Sequence, residues 1–586
     1  MKINYKNLSN FNPCVIAETA CGHDGSLTKL KTLIKIAKES GVQTIKFQIY
    51  KLRERANPNS KEEKIFKKLL LSDTEWKKAV QFAHKKGLFV FADIFGDESL
   101  NLAEKIKVDA YKIHSEDTLN FSFIKRVMKK NKIVMIGVGG SHRIEVKSLL
   151  DYLKRENLNN QLILMTGIQT FPTPMEAHSI SEVSDLISKY SKYKVKVGFS
   201  DHAKGGSNES FLLPIMAISV GAVIIEKHFT TNRKFKQTDY HSSLNKEELK
   251  IFVNQIDKFK RVLKPISEFT KWERSYRNMF KKSPIITKRK LVGEVIEANE
   301  ISYVKNTLSP QSLNLTQISN KKVKKNMNAG SSLSLKNIQQ KVGIVIVVRT
   351  GSNRFPGKAL GKIMGRESIA CLIDRMKRVK NADEIILATS TDKSDDMLVE
   401  IAKREGVNFF RGSLKNVALR YFEAAKKFQL DQIVRITGDA IVCDENMLEK
   451  AVNKQIEKGS DVVFMKNMPY GTAKEIFSFR AIKAIAEYAI EPNSTEYLEW
   501  FLENSRNFKI EYIKSPYRFD KKIRLTLDYK EDLIQLNRIF SGLKNKKDFN
   551  LSDILKFLKK RPDIVKINSH LRPKFKREQI NTELTI

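Results

Sequence analysis

The sequence predicts an α/β chain in three parts: an N-terminal (β/α)8 barrel of the TIM type over 1–270, a small β-rich domain over 271–340, and a C-terminal open α/β sheet over 341–586. Three observations carry this. Short β-rich runs alternate with amphipathic helices between residue 13 and about 230, with eight strands in all. A strand–polar turn–strand pattern at 286–301 is loosely echoed at 323–338. The alternation then restarts at Val342, where an apolar strand runs into a loop of glycine and spaced cations, VGIVIVVRTGSNRFPGK (342–358).

The barrel strands are expected at 14–18, 44–48, 88–92, 110–114, 132–137, 162–167, 196–200 and 222–228. Between the first two, Leu30, Leu33, Ile34 and Ala37 recur at helical spacing. The longest apolar run, FLLPIMAISVGAVII from Phe211, is short of the ~20 residues that cross a bilayer. It contains Pro214 and runs into Glu226-Lys227-His228, so it reads as a helix followed by a buried strand. Polar residues cluster at strand ends, which is the catalytic face of such a barrel. In the C-terminal part the strands are IVIVV, EIILATS, VNFFRG, IVRITGD and VVFMK, with helices at 395–404 and 415–428. An open sheet of this kind binds its ligand at the carboxyl ends of its strands. The basic tail after about 562 is expected to be poorly ordered.

Composition narrows the function classes. With 106 Lys+Arg against 66 Asp+Glu the net charge is +40. Nucleic-acid binding is one reading of that excess. The lysines are spread over every expected helix and no nucleic-acid module is visible, so a cation-rich enzyme surface that gathers anionic metabolites is the reading adopted. The cysteines Cys14, Cys21, Cys371 and Cys443 form no CxxC pair, which fits a reducing cytoplasm rather than a disulfide framework. The N-terminus lacks the apolar core of a signal peptide, so a cytoplasmic enzyme with no membrane and no nucleic-acid partner is expected.

Two constellations carry chemistry. In the barrel, His202 ends SDH and His228 ends EKH on neighbouring strands. Two imidazoles there can converge on one divalent metal and leave positions open for water or substrate. Alternatively each is a hydrogen-bonded wall residue. Lys46 and Gln48 follow one strand, and Lys112 and Ser115 another. Two lysines facing one mouth form an anion site; alternatively they pair with barrel carboxylates such as Glu18 or Asp201.

AETACGHDG (17–25), KFQ (46–48), KIHS (112–115), FPTP (171–174), GFSDHAKG (198–205), EKHFT (226–230) and DYHSSL (239–244) together resemble the sialic acid synthase family, over about residues 13 to 265. The small module resembles the antifreeze-like (SAF) domain of that family, which implies a homodimer formed through it. The resemblance implies condensation of phosphoenolpyruvate with an N-acetylmannosamine-type sugar, an N-acetylhexosamine, to give a sialic-acid-like 2-keto acid. His202 and His228 would bind Mn2+ or Mg2+. Lys46, Lys112, Ser115 and Ser200 would hold phosphoenolpyruvate. Gln48, Asp239 and His241 would face the sugar, with Glu18 and His23 at the floor, and Asp201 counts with the catalytic set. The chain departs from the family at Gly22–Gly25, Gly137–Gly139 and Thr166-Gly167, which leaves the sugar open.

The second constellation is the loop carrying Arg349, Gly351, Ser352, Arg354 and Lys358. Glycine admits close backbone approach and the cations neutralise a triphosphate, although the Walker spacing is absent. Asp439 ends IVRITGD and Asp528 ends IRLTLD. Such a pair can hold Mg2+ against the α-phosphate. Alternatively each caps the helix that follows. GSNRFPGKAL, EIILATSTDKSDD, FFRGSLKNVALRYFEAA, VRITGD, PYGTAKEIFS and RLTLDYKEDL resemble the cytidylyltransferases of the acylneuraminate and spore-coat polysaccharide type, across about 342 to 540. That implies CTP as co-substrate, with Glu475 on the substrate side. Val347-Val348 and Tyr497 depart from the usual pattern. The expectation is a bifunctional enzyme of surface-glycan synthesis. The alternatives are a chain in which only the C-terminal activity survives, and a basic scaffold.

Overall fold

A computed structural model describes residues 4–158, 161–264, 266, 269–305, 313–351, 354–494, 498–502, 506–546, 548–571 and 584. The chain divides into two compact units, Met1–Pro265 and Ile266–Ile586. The boundary expected near residue 340 falls inside the second.

The first unit is a closed parallel barrel of β1 (Cys14–Glu18), β2 (Thr44–Ile49), β3 (Phe89–Ile94), β4 (Ala110–Ile113), β5 (Ile133–Gly137), β6 (Leu162–Thr166), β7 (Lys196–Asp201) and β8 (Ile224–His228). Strand β8 closes on β1 with Glu18 beside His228. Side chains alternate between two environments. Ile16, Phe91, Ala110, Met135, Ile163, Met165 and Ile224 fill the lower interior as one apolar plug. Ala17, Ile45, Val90, Tyr111, Val134, Leu164, Phe199 and Ile225 face outward into the core beneath the helices. The register then sets a polar layer above the plug: Glu18 beside Lys46, Gln48 beside Asp93, Asp93 beside Lys112, and Ser200 beside Glu226. The apolar run from Phe211 forms the helix Glu209–Ser219, with Pro214 inside it, and then β8.

In the second unit, β9 (Lys282–Ile286) and β10 (Ile301–Lys305) are antiparallel. The echoed segments pair with each other through bridges Ile285–Ser332, Lys290–Met327 and Val295–Lys322. Their apolar positions meet in a small core that includes Ile286, Ile296, Met327, Leu333 and Ile338. The pattern repeats because each half needs the other to bury its face.

The rest of the unit is an open sheet. It contains β11 (Val342–Val347), β14 (Glu384–Ser390), β15 (Asn408–Gly412), β16 (Gln432–Thr437), β17 (Val462–Lys466), β18 (Glu475–Ser478) and β19 (Ile510–Lys514); Lys362–Ile363 and Arg366–Glu367, β12 and β13, form a separate hairpin. The order is β15-β14-β11-β16-β18-β17-β19, parallel except for β18. Core clusters cover both faces. The tail is ordered further than expected. A helix at Pro562–Lys566 buries Ile564 and Val565, and Asn568 bonds Gln535 and Asp532, so the chain stays packed beyond residue 562. No helix among the described residues is long and apolar enough to cross a membrane.

Phe91→Ala opens a cavity inside the barrel plug and should destabilise the protein by about 3–5 kcal/mol. The exposed Ile251→Ala should stay within about 0.5 kcal/mol of wild type. Shifts of the denaturant midpoint measure both.

Candidate functional sites

The barrel mouth is built on a buried ionic network. Lys46 Nζ lies 2.7 Å from Glu18 Oε2, 2.9 Å from Asp93 Oδ2 and 2.8 Å from Glu226 Oε2. Lys112 Nζ is 2.6 Å from Glu226 Oε1. All five side chains are at most 2% exposed. Burial opposes charge on Glu226, but Lys112 and Lys46 hold its carboxyl well below the usual range. The lysines therefore do pair with barrel carboxylates, and the partners are Glu18, Asp93 and Glu226. Three carboxylates against two ammonium groups leave an excess negative charge in a low-dielectric layer.

Beside the network stand the two histidines, their ring centroids 5.1 Å apart. Nδ1 of His202 lies 3.0 Å from the carbonyl of Ile168. A carbonyl only accepts, so Nδ1 carries the proton and Nε2 keeps its lone pair. Burial pushes His202 down to about 4 and His228 well below the ordinary imidazole range. Phe171 packs edge-on against both rings. The two rings are neutral, one is orientated through its other nitrogen, and they adjoin excess negative charge. These residues fit a divalent cation. Among the described residues no three or more His, Cys, Asp or Glu side chains converge as a ready cage, so water or substrate would complete the shell.

The remaining expected residues divide. Ser200 Oγ faces the mouth from β7, buried and, among the described residues, without a hydrogen-bond partner. Ser115 packs its backbone against Gly137, where a Cβ would come within 2.9 Å of Ser115 N. Gln48 Oε1 accepts from Cys21 Sγ at 3.7 Å. Asp239 Oδ2 is 3.9 Å from His228 Nδ1, and burial raises its carboxyl to about 6. His23 is fully buried. Its Nδ1 accepts from Gly25 N–H, Nε2 finds no partner among the described residues, and the ring stands edge-on to Trp76, so it supports the loop after β1. His241 is exposed and stacked on Tyr240.

Asp201 departs from the catalytic expectation. Strand alternation turns it to the outer face, level with Lys227, where it pairs with the Lys227 ammonium and accepts from Ala203 N–H. Asp93 and Glu226, missed as site residues, sit at strand ends as the named residues do. The need of buried Lys46 and Lys112 for counter-charges points to barrel carboxylates, and the partners besides Glu18 are Asp93 and Glu226 rather than Asp201. His114 was also missed: its ring meets Phe95, and Nε2 is 3.2 Å from the Gln169 amide.

In the second unit Lys358 joins the two distant aspartates. Its Nζ is 3.0 Å from Asp528 Oδ1 and 3.7 Å from Asp439 Oδ2. Arg354 also reaches Asp528 at 3.0 Å. Burial works against charge on Asp439, but Lys358 and Lys474 hold it well below the usual range. Neither aspartate is a helix cap. Asp444 caps Glu445–Lys458, and Tyr529 precedes Lys530–Gly542. Arg524, at the head of the RLTLDYKEDL segment, bonds Asp528 and Asp532 and braces it. Arg349 and Gly351 are exposed, no atom crowds a Cβ at Gly351, and Ser352 lies outside the described residues. The loop is pinned at Thr350, whose N–H and hydroxyl both donate to Asp395. Glu475 pairs with Arg435 at 2.8 Å. Tyr497 lies outside the described residues.

A barrel with this mouth and a sheet with this cation–aspartate loop define a chain with two enzyme centres. Residues 33–267 match the family model described as NeuB family, and residues 343–561 match that described as Cytidylyltransferase. An uncharacterized protein of Methanocaldococcus jannaschii is 36% identical over 239 residues, 40% of this chain and 97% of its own length. The N,N'-diacetyllegionaminic acid synthase of Campylobacter jejuni is 27% identical over 305 residues, 49% of this chain and 89% of its own. Spore coat polysaccharide biosynthesis protein SpsF of Bacillus subtilis is 26% identical over 226 residues, 37% and 94%. The chain carries a NeuB-family domain in its barrel fused to a cytidylyltransferase domain in its second unit, which matches a bifunctional sugar-acid biosynthesis enzyme. Enzymes of both kinds generally depend on a divalent metal.

Lys227→Met leaves Asp201 buried without its counter-charge and should cost about 3–5 kcal/mol. The double variant Asp201→Asn/Lys227→Met should recover much of that loss in a thermal melt.

Proposed function

We propose that the barrel condenses phosphoenolpyruvate with an N-acetylhexosamine-type sugar to a 2-keto sugar acid, and that the second unit transfers CMP from CTP to such an acid. The observation that carries the first half is the buried network of Lys46 and Lys112 with three carboxylates beside two neutral histidines. Phosphoenolpyruvate is a polyanion. Lys46, Lys112, Ser115 and the unpartnered Ser200 hydroxyl are the donors that would receive it. Glu226 and Asp93 favour charge on Lys112 against its burial, whereas burial outweighs the carboxylates at Lys46 and lowers its pKa, so an arriving anion adds to the charge stabilisation there.

His202 and His228 would hold Mn2+ or Mg2+, which when bound supplies Lewis acidity toward the sugar aldehyde. Gln48 and Asp239 face the sugar end of the mouth, and Asp239, with its raised pKa, can hold or release a proton near neutral pH. His241 belongs with them only if substrate draws its loop inward. His23 and Glu18 keep the floor in place. The proposed domain limits are 1–270, 271–340 and 341–586, and homodimerisation would use the middle one.

In the second unit Arg349, Gly351, Ser352, Arg354 and Lys358 would receive the triphosphate. Asp439 and Asp528 would hold Mg2+, which orders the phosphates for in-line attack. Lys358 bridges both aspartates and is placed to turn from carboxylate to phosphate when the nucleotide enters. Joining the two enzymes raises the local concentration of the keto acid.

Purified protein given phosphoenolpyruvate, CTP and a panel of N-acetylhexosamines should yield a CMP-linked keto acid by mass spectrometry. His202→Ala should lower phosphate release from phosphoenolpyruvate at least about 100-fold and leave pyrophosphate release from CTP and preformed keto acid intact. Asp528→Asn should do the reverse. Activity lost from both halves in either variant would reject two separate centres, and EDTA should silence both.

A further inference from the structure

The second unit holds a cavity of about 410 Å³ away from the cytidylyltransferase centre. Strands β16, β17 and β19 run in one direction, and β18 runs against them. Asp439 follows the last residue of β16, whereas the cavity lies at the first residues of β17 and β19. About 16 Å of strand, five residues at about 3.3 Å each, separates the two ends of the sheet.

The lining is strongly basic. Arg274 and Arg277 come from the helix Lys271–Phe280, Lys458 from the end of the helix before β17, Arg480 from the helix after β18, and Arg506 and Lys509 from the approach to β19. The carboxylates in the wall are Asp461 and Glu511, and both are engaged. Asp461 takes the Arg480 guanidinium through both oxygens and the N–H of Lys509. Glu511 is 3.4 Å from Lys454. Arg506 pairs with Glu273. Among the described residues, Arg274 and Arg277 make no ion pair and no side-chain hydrogen bond. The Lys509 ammonium donates to the Lys458 carbonyl, and burial lowers its pKa.

Unpaired guanidinium groups facing one partly enclosed space repel each other, and an anion between them relieves that. Arginine forks match the oxygens of a phosphate. Phe269 and Phe508 add aromatic wall, which suits a flat ring carried with the phosphate. The volume falls within the roughly 300–1,000 Å³ of small-molecule pockets. We propose that this cavity is a second, non-catalytic nucleotide site that grips the phosphate of a nucleoside monophosphate between Arg274, Arg277 and Lys509. In an enzyme that makes a CMP-linked product, such a site lets that class of compound act back on the chain. Only the choice of cytidine as base rests on the reading proposed above.

The test is calorimetric titration of the full chain with CMP, in parallel with inorganic phosphate, on wild type and Arg274→Ser/Arg277→Ser. Among the described residues neither arginine has an ion-pair or side-chain hydrogen-bond partner to lose, so the variant should melt as wild type does. The variant should bind one CMP fewer per chain, while pyrophosphate release at saturating CTP is unchanged. Equal stoichiometry and affinity in the two proteins would overturn the proposal. So would inorganic phosphate binding this site as tightly as CMP, since the aromatic wall would then contribute nothing. Failure of the cytidylyltransferase reading appears separately, as absent pyrophosphate release from wild type, and leaves the one-CMP difference in place.

Discussion

Lys46 is the hinge of the barrel. An ammonium inside a closed strand layer is tolerated only with counter-charge at bonding distance, and here Glu18, Asp93 and Glu226 supply it from β1, β3 and β8. The lysine therefore ties three strands to its own across the mouth, above a largely apolar plug whose side chains carry no counter-charge. Lys112 shares Glu226 and brings in β4. The same arrangement that makes the layer stable leaves it short of positive charge, and that shortage sits next to two neutral histidines. Stability and chemistry draw on one set of side chains.

The second unit solves a related problem differently. Its cations and carboxylates lie at the carboxyl edge of an open sheet, partly exposed, with Lys358 between Asp439 and Asp528. The aspartates come from segments far apart in sequence. Leu527 N–H donates to the Asp439 carbonyl and Thr526 Oγ1 to its carboxylate, which holds the two segments together. Arg524 and Asp532 brace the same corner. With cations and carboxylates in near balance, the corner can exchange its internal ion pairs for a triphosphate and a cation.

Much of this was legible in the chain. The eight barrel strands appear where the β-rich runs lie, because period and length there are unambiguous. The echo at 286–301 and 323–338 marks two halves that bond to each other. Other features depend on pairing that sequence does not display. Asp201 stands next to His202 yet faces the other way, since one residue along a strand reverses the side chain. Asp93 lies in no quoted motif, and Glu226 opens EKHFT two residues ahead of His228; it is the buried lysines that require both. Strands β18 and β19 were not anticipated, being short and, in β19, mixed with charge. Helix capping was the simpler reading of Asp439 and Asp528, and the true caps lie within a few residues of each.

The most direct test of the barrel mouth as the metal and phosphoenolpyruvate site is a crystal of the protein grown with Mn2+ and phosphoenolpyruvate, with data collected at the manganese edge. An anomalous peak is expected within bonding distance of His202 Nε2 and of His228, with phosphoenolpyruvate oxygens against Lys46 and Lys112. Phosphoenolpyruvate bound elsewhere, or a barrel mouth without a manganese peak, would contradict that assignment.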